Sequence, residues 1–285
     1  HETYALAGTS KMPDVMYFFS KTFGPYPFAN EKYGMTQLGY YGGIENQTNS
    51  IVNQMSTSWF YVSVHELAHQ WFADMITCDT WHHGWLNEGF ATYSESLYKE
   101  YDLGDAAYQT DIQGNAFKSG GTLYLQDVSD PFNVFQGIIY QKGAYVMHML
   151  RGVMGDSLFF DAIYTYSNHP SLQYKKATTE DFQLICEQTS GMNLDYFFKQ
   201  WIYDEYYPKY DFNFDYDSLV NQVEIKLIQT QDSIGWRPVF EMPMQISIEF
   251  SDGSDSLINV YNDAKVQSFI INVNKSVVAV HIDPF

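Results

Sequence analysis

Cysteine is scarce: Cys78 and Cys186 stand 108 positions apart in a chain of 285 residues and match no metal or redox spacing. They could form at most one internal disulfide, and two free buried thiols satisfy the sequence as well. Basic residues are scarce too. Fifteen Lys and Arg face 34 Asp and Glu, a formal charge of -19 that repels phosphate backbones and anionic membrane surfaces. Nucleic acid is therefore not an expected partner, and a solvated acidic surface explains the surplus more simply than attraction of cationic peptide N-termini. No stretch approaches the roughly 18 consecutive apolar residues of a membrane helix, so no membrane span is expected. At His1 there is no initiator Met, charged leader or apolar leader, so the chain reads as a processed protein or an excised piece. A secreted or periplasmic location is expected over a cytoplasmic one.

Apolar residues make up 45% of the chain and aromatic residues 18%, enough for a sizeable core. Residues 13 to 23 have helical spacing with Pro13 at the start, followed by the turn Gly24-Pro25-Tyr26-Pro27. From Tyr33 to Met55 the text is short, polar and broken by glycine, as strands and loops are. Apolar groups at Val62, Leu67, Trp71, Phe72 and Met75 predict a helix of about five turns over 59–76. Further helices are predicted over 87–101, 140–154 and 178–189, the last with Thr178 and Asp181 as a capping pair and Gly191 as a stop. After Pro208 the pattern changes to alternation, as in Val223 to Leu227 and Gln245 to Phe250, with Asp252-Gly253 as a hairpin signal. A plain turn is expected there, because the ligand count of a calcium loop is lacking. The organisation is thus a mainly helical part, residues 1–206, and a small antiparallel β part, 207–285.

His65-Glu66-Leu67-Ala68-His69 lies inside a predicted helix. Two His four apart share one face and can both reach a single zinc at about 2.0 to 2.1 Å, while Glu66 stands beside the metal as a general base. The pattern alone arises by chance in roughly one chain of this length in a hundred, so its context decides. Eighteen residues separate His69 from Glu88, which opens a second helix in Trp85-Leu86-Asn87-Glu88-Gly89. A carboxylate as third ligand leaves a fourth position for water, as catalytic zinc requires. His82, His83 and His148 lack such spacing and read as solvent-facing or core histidines.

With these residues in place the chain resembles the gluzincin aminopeptidases, the family of alanyl aminopeptidase and leukotriene hydrolase, over about residues 13 to 207. The resemblance rests on the helix before Gly24-Pro25-Tyr26-Pro27, on Gly42-Gly43-Ile44-Glu45-Asn46 in the place of a Gly-x-Met-Glu-Asn motif, on the two His with their distant Glu, and on Tyr140-Gln141-Lys142-Gly143-Ala144. It implies an α+β protein, a thermolysin-like mainly helical zinc peptidase domain followed by a small β-sandwich. It also implies one Zn2+ per chain on His65, His69 and Glu88, and peptide substrates with a free N-terminus. Glu45 would bind the substrate's α-ammonium group, Gly42 and Gly43 would let backbone lie close to the peptide, and Tyr140 would stabilise the oxyanion. Glu95, seven residues after Glu88, either holds a ligand His from behind or is an ordinary exposed Glu. Ile44 departs from the family's Met, a volume-conserving change. The family's N-terminal β domain does not precede the motifs in these 285 residues, so Glu45 is expected to act alone and discriminate free from blocked N-termini roughly tenfold or less. A zinc endopeptidase, an epoxide hydrolase and a non-catalytic scaffold of the same fold are the rivals. The sequence leaves side-chain preference and oligomeric state open.

Overall fold

A computed structural model of the chain describes residues 2–39, 41–231 and 237–283. They divide into two units, 1–117 with 122–195, and 118–121 with 196–285.

In the first unit two helices come first, α1 (Glu2–Thr9) and α2 (Met12–Thr22), the second matching the Pro-initiated pattern. A three-stranded sheet follows, β1 (Gly34–Gln37), β2 (Gly43–Ile44) and β3 (Asn49–Val52), in the order β1-β3-β2 with β3 parallel to β1 and antiparallel to β2. Helix α3 (Phe60–Ala68) carries the first His and the base candidate, and lies against β3. It does not run to residue 76: a π-type turn, Gln70–Met75, follows His69, and Phe72 and Ala73 leave helical geometry altogether. The apolar spacing that predicts five helical turns persists through this break because Trp71, Phe72 and Met75 remain buried. Burial period alone does not distinguish a helix from a wound turn on the same face.

Strand β4 (Ile76–Cys78) follows and pairs in parallel with β5 (Lys175–Ala177). Helix α4 (Trp85–Leu103) is the centre of the unit, with every residue of its first seven, Trp85 to Ala91, buried. Around it stand α5 (Asp105–Gly114), α6 (Pro131–Val134), α7 (Gly143–Met154), α8 (Asp156–Asn168) and α9 (Thr179–Ser190). The predicted Thr178–Asp181 capping box forms at the start of α9, and Gly191 ends it in the left-handed conformation. Phe72, Trp85, Phe90, Tyr166 and Phe182 meet ring to ring, forming an aromatic core. Cys78 and Cys186 are both buried free thiols.

The helices α4 and α7 cross at unusually close range. A Cβ placed on Gly143 would lie 2.7 Å from the Gly89 Cα, and one placed on Gly89 would lie 2.9 Å from the Gly143 Cα. Only two glycines permit that crossing, and each follows a site candidate: Glu88 directly, Tyr140 by three residues.

The second unit contains two antiparallel three-stranded sheets. Strands β6 (Tyr210–Asp217), β7 (Gln222–Gln229) and β10 (Val266–Asn272) form one in the order β10-β7-β6. Strands β8 (Met242–Phe250), β9 (Asp255–Asn262) and β11 (Val277–Ile282) form the other in the order β11-β8-β9. Val223 and Ile225 of the first sheet and Ile246, Ile248, Phe250 and Val280 of the second share one apolar core, the inner layer of a β-sandwich. By its internal contacts this unit also takes in residues 118–121 and 196–206, including the turn Lys199–Tyr203. Trp201 packs on Phe240 with ring centroids 5.3 Å apart, and Gln200 Nε2 donates to the Glu241 carbonyl at 2.7 Å. Asp252 forms a plain turn, accepting from the Ser254 backbone and pairing with Lys275.

Candidate active site

His65 and His69 project from the same face at the end of α3. Their Nε2 atoms are 3.0 Å apart, and Glu88 Oε2, brought in by the first turn of α4, lies 3.3 Å from each. Two imidazole nitrogens facing each other at this distance cannot both donate. Bonds of about 2.0 to 2.1 Å at a tetrahedral centre put neighbouring ligand atoms about 3.3 Å apart, so the triangle fits one zinc ion. Each imidazole is turned by a partner on its far nitrogen. His65 Nδ1 donates to Glu95 Oε1 at 2.9 Å, and His69 Nδ1 donates to the Phe72 carbonyl at 3.0 Å. Glu95 thus stands behind His65, and the break in the helix after His69 frees the carbonyl that orients His69. His69, Glu66 and Glu88 are nearly inaccessible to solvent.

Burial disfavours the Glu88 carboxylate, but the charges and hydrogen bonds of His69 and His65 outweigh it and hold Glu88 well below the usual carboxylate range. Burial pushes Glu66 up to about 7, against the opposing pull of both imidazoles. Glu66 is also held by its backbone. Ser50 Oγ donates to the Glu66 carbonyl at 3.2 Å and accepts from the Tyr33 hydroxyl at 2.9 Å, tying β3 to α3. The Glu66 carboxyl group packs over Gly43, occupying the space a Cβ would take.

Glu45, Glu66 and His69 bring ligand-type atoms within 4.8 Å of one another, and Glu45 is half-buried. Gly42 has φ 107°, a conformation that favours glycine, and its carbonyl accepts from Asn53 N at 2.9 Å. That turn delivers Gly43 and Ile44 to the edge of the three-stranded sheet. Tyr140 sits in a π-type turn, Ile138–Lys142, with its ring stacked 6.1 Å from that of His65. Burial, followed by the charges of Glu88, Glu45 and Glu66, raises the Tyr140 hydroxyl, which keeps its proton and can donate.

The chain matches the Peptidase family M1 domain over residues 14–201. The chain belongs to this family. Among its curated relatives, the probable aminopeptidase 2 of Sulfurisphaera tokodaii is 30% identical over 191 residues, covering 63% of this chain and 24% of the relative. The glutamyl aminopeptidase of Sus scrofa is 27% identical over 223 residues, covering 74% and 23%. This M1 chain therefore spans about a quarter of the length of the curated relatives it matches. In fold it is similar to an aminopeptidase A of Legionella pneumophila solved with aspartic acid, with a TM-score of 0.79 at 17% identity, covering 95% of this chain and 32% of the other. An M1 zinc metallopeptidase from Deinococcus radiodurans gives a TM-score of 0.59 at 26% identity, covering 67% and 43%.

All nine residues singled out in the sequence converge on one face of the first unit: Gly42, Gly43, Glu45, His65, Glu66, His69, Glu88, Glu95 and Tyr140. His82, His83 and His148 make structural contacts away from this face. His83 is buried against the Thr179 hydroxyl, His82 bonds the Leu125 carbonyl, and His148 Nδ1 accepts from the Tyr108 hydroxyl at 2.7 Å. The sequence reading missed Gln70, which is fully buried and bonded to the Glu45 segment. A polar side chain inside the apolar run Leu67-Ala68-His69-Gln70-Trp71-Phe72 was the available signal, since a buried amide must find partners.

Proposed function

We propose that this chain hydrolyses peptide bonds with one zinc ion and releases N-terminal residues from peptides that have a free α-ammonium group. The observation that carries the proposal is the triangle of His65 Nε2, His69 Nε2 and Glu88 Oε2, with Glu66, Tyr140 and Glu45 gathered around it. Zinc held by those three side chains supplies Lewis acidity toward a carbonyl and toward water. Glu66 takes the proton of the attacking water and passes it to the leaving amine. Tyr140 donates its hydroxyl to the oxygen that gains charge in the tetrahedral intermediate. Glu45 pairs with the substrate's α-ammonium group, so the bond presented to Glu66 is the first one of the peptide. Glu95 and the Phe72 carbonyl keep both imidazoles turned with Nε2 toward the centre.

A non-catalytic scaffold is disfavoured because every ligand, the base and the oxyanion donor are present. An endopeptidase is disfavoured by the carboxylate of Glu45 at the centre. The test compares kcat/KM for matched free and N-acetylated peptides, with and without a chelator. The tenfold limit expected from the sequence assumed an exposed pair; Glu45 is half-buried, and a hydrogen bond to a charged group contributes about 1.5 to 3 kcal/mol, so a preference of roughly 10- to 100-fold for free N-termini is expected instead. Equal rates on both peptides would identify an endopeptidase, and full activity in chelator would remove zinc from the mechanism.

A further inference from the structure

We infer that Gln70 is a positioning residue: its side chain fixes the Glu45-bearing turn to the metal-binding helix and so sets the discrimination for a free N-terminus. The inference rests on the aminopeptidase reading for its consequence, though the clamp itself is a matter of geometry.

Gln70 follows the candidate ligand His69 directly and is 0% exposed. Its Oε1 accepts from Thr48 N at 2.8 Å and from the Tyr26 hydroxyl at 3.3 Å. Its Nε2 donates to Asp74 Oδ2 at 2.8 Å, to the Glu45 carbonyl at 3.3 Å and to the Asn46 carbonyl at 3.5 Å. The amide orientation is fixed by chemistry, because a backbone N–H can only donate and a backbone carbonyl can only accept. One side chain thus grips the backbone of Glu45, Asn46 and Thr48.

Apart from Gln70, the gripped segment is held by strand pairing of Ile44 with Ile51, by the bond from Gly34 N to the Thr48 carbonyl at 2.9 Å and by the bond from the Thr48 hydroxyl to Glu31 at 3.3 Å, none of which fixes the backbone of Glu45 itself. Asn46 and Gln47 are exposed, and Ile44 is 40% exposed, so no apolar side chain anchors the stretch from 44 to 48 in the core. Thr48 has φ 61°, a left-handed conformation that is costly for a β-branched residue and persists only where surrounding bonds over-determine it. The Asn49 N to Asn46 carbonyl bond at 2.9 Å closes the turn from within, and the Gln70 bond to Thr48 N holds it from outside. Because His69 and Gln70 are consecutive, one path from metal ligand to amine acceptor passes through a single side chain. Loss of that clamp frees Glu45 while leaving the ligands His65, His69 and Glu88 on their own partners.

The test uses Gln70→Met, which keeps the length and removes the hydrogen bonds, and Gln70→Glu, which keeps acceptors for Thr48 and Tyr26 but loses the donations to Asp74 and to the Glu45 and Asn46 carbonyls. Three readouts are taken: zinc per chain, kcat/KM on matched free and N-acetylated peptides, and hydrogen exchange of the amides of residues 44–50. Both variants should hold about one zinc per chain. The rate on the acetylated peptide should change by less than about 3-fold, and that on the free peptide should fall about 10-fold, with faster exchange at Thr48 in the Met variant, which alone loses its acceptor. The Glu variant should show the same selective loss on the free peptide with Thr48 exchange nearer the parent's, and its kinetics carry the test if the Met variant does not fold. Equal losses on both peptides in either variant, or Thr48 exchange in the Met variant as slow as in the parent, would overturn the inference. A parent protein that shows no preference for free N-termini would instead sink the aminopeptidase reading, and the exchange data would still decide whether Gln70 holds the turn.

Discussion

Replacing Gly143 by Ala should injure both the fold and the reaction, and the structure gives the size of the injury. The new Cβ would lie 2.7 Å from the Gly89 Cα, whereas non-bonded carbons settle at about 3.5 to 4.0 Å. The obstacle is helix backbone rather than a movable side chain, so α4 and α7 must separate by about 1 Å. Overpacking of this kind costs about 1 to 3 kcal/mol. Glu88 adjoins one side of the crossing and Tyr140 lies three residues from the other, so the separation moves the proposed metal ligand away from the proposed oxyanion donor. A displacement of about 1 Å between reacting groups lowers turnover about 100-fold. Urea denaturation and steady-state kinetics on one preparation check both effects: stability should fall by about 1 to 3 kcal/mol, and kcat should fall 10- to 100-fold with KM changed little. A variant within about 0.5 kcal/mol of the parent and at full rate would refute the claim that the glycine crossing sets this geometry.

Glu66→Gln should retain zinc and lose about 10²- to 10⁴-fold in kcat, since the ligands remain and the base is gone; a near-normal rate would remove Glu66 from the proton path. Tyr140→Phe should lower kcat about 10²- to 10³-fold with KM little altered, and a pure KM effect would assign the ring to substrate packing instead. A third expectation concerns acid stability. Burial, with the Arg151 charge adding to it, holds the His148 imidazole down at about 4, below an ordinary value of about 6.5. A folded-state value below the unfolded one means that the contribution is complete above pH about 6.5 and is lost as pH falls toward about 4. The whole contribution is about 3 kcal/mol. Denaturation of the parent and of His148→Phe at pH 7 and at pH 4.5 should therefore show the parent losing more of its stability; parallel losses would contradict it.

Much of the site was legible in the sequence because its chemistry constrains residue type and spacing together. His65, Glu66 and His69 need one helical face, and Glu88 needs a second helix arriving at the same point. Both requirements leave marks in a linear text. The break after His69 left none, because Trp71, Phe72 and Met75 are buried whether the backbone is helical or not. Glu95 was ambiguous for a similar reason: seven residues after Glu88 places it on the right face, but its bond to His65 depends on how α3 and α4 cross. Gly89 and Gly143 were visible as letters inside motifs, while their reason, the contact of two backbones, exists only in three dimensions. Gln70 was hidden most fully, since its five partners come from three separate stretches of chain. The bonds of Gln200 and Trp201 to the β unit were not legible either, since both lie in a stretch of helical texture and their partners are about 40 residues away.

The measurement closest to the central claim is a zinc titration of metal-stripped protein in which bound zinc and peptide hydrolysis are followed together. Hydrolysis of a free N-terminal peptide should be absent at the start, rise in proportion to bound zinc, and saturate at about one zinc per chain. In a Glu88→Ala variant both curves should shift to much weaker zinc binding. Hydrolysis undiminished in the stripped protein, or zinc uptake unchanged by loss of Glu88, would contradict a catalytic centre built from His65, His69 and Glu88.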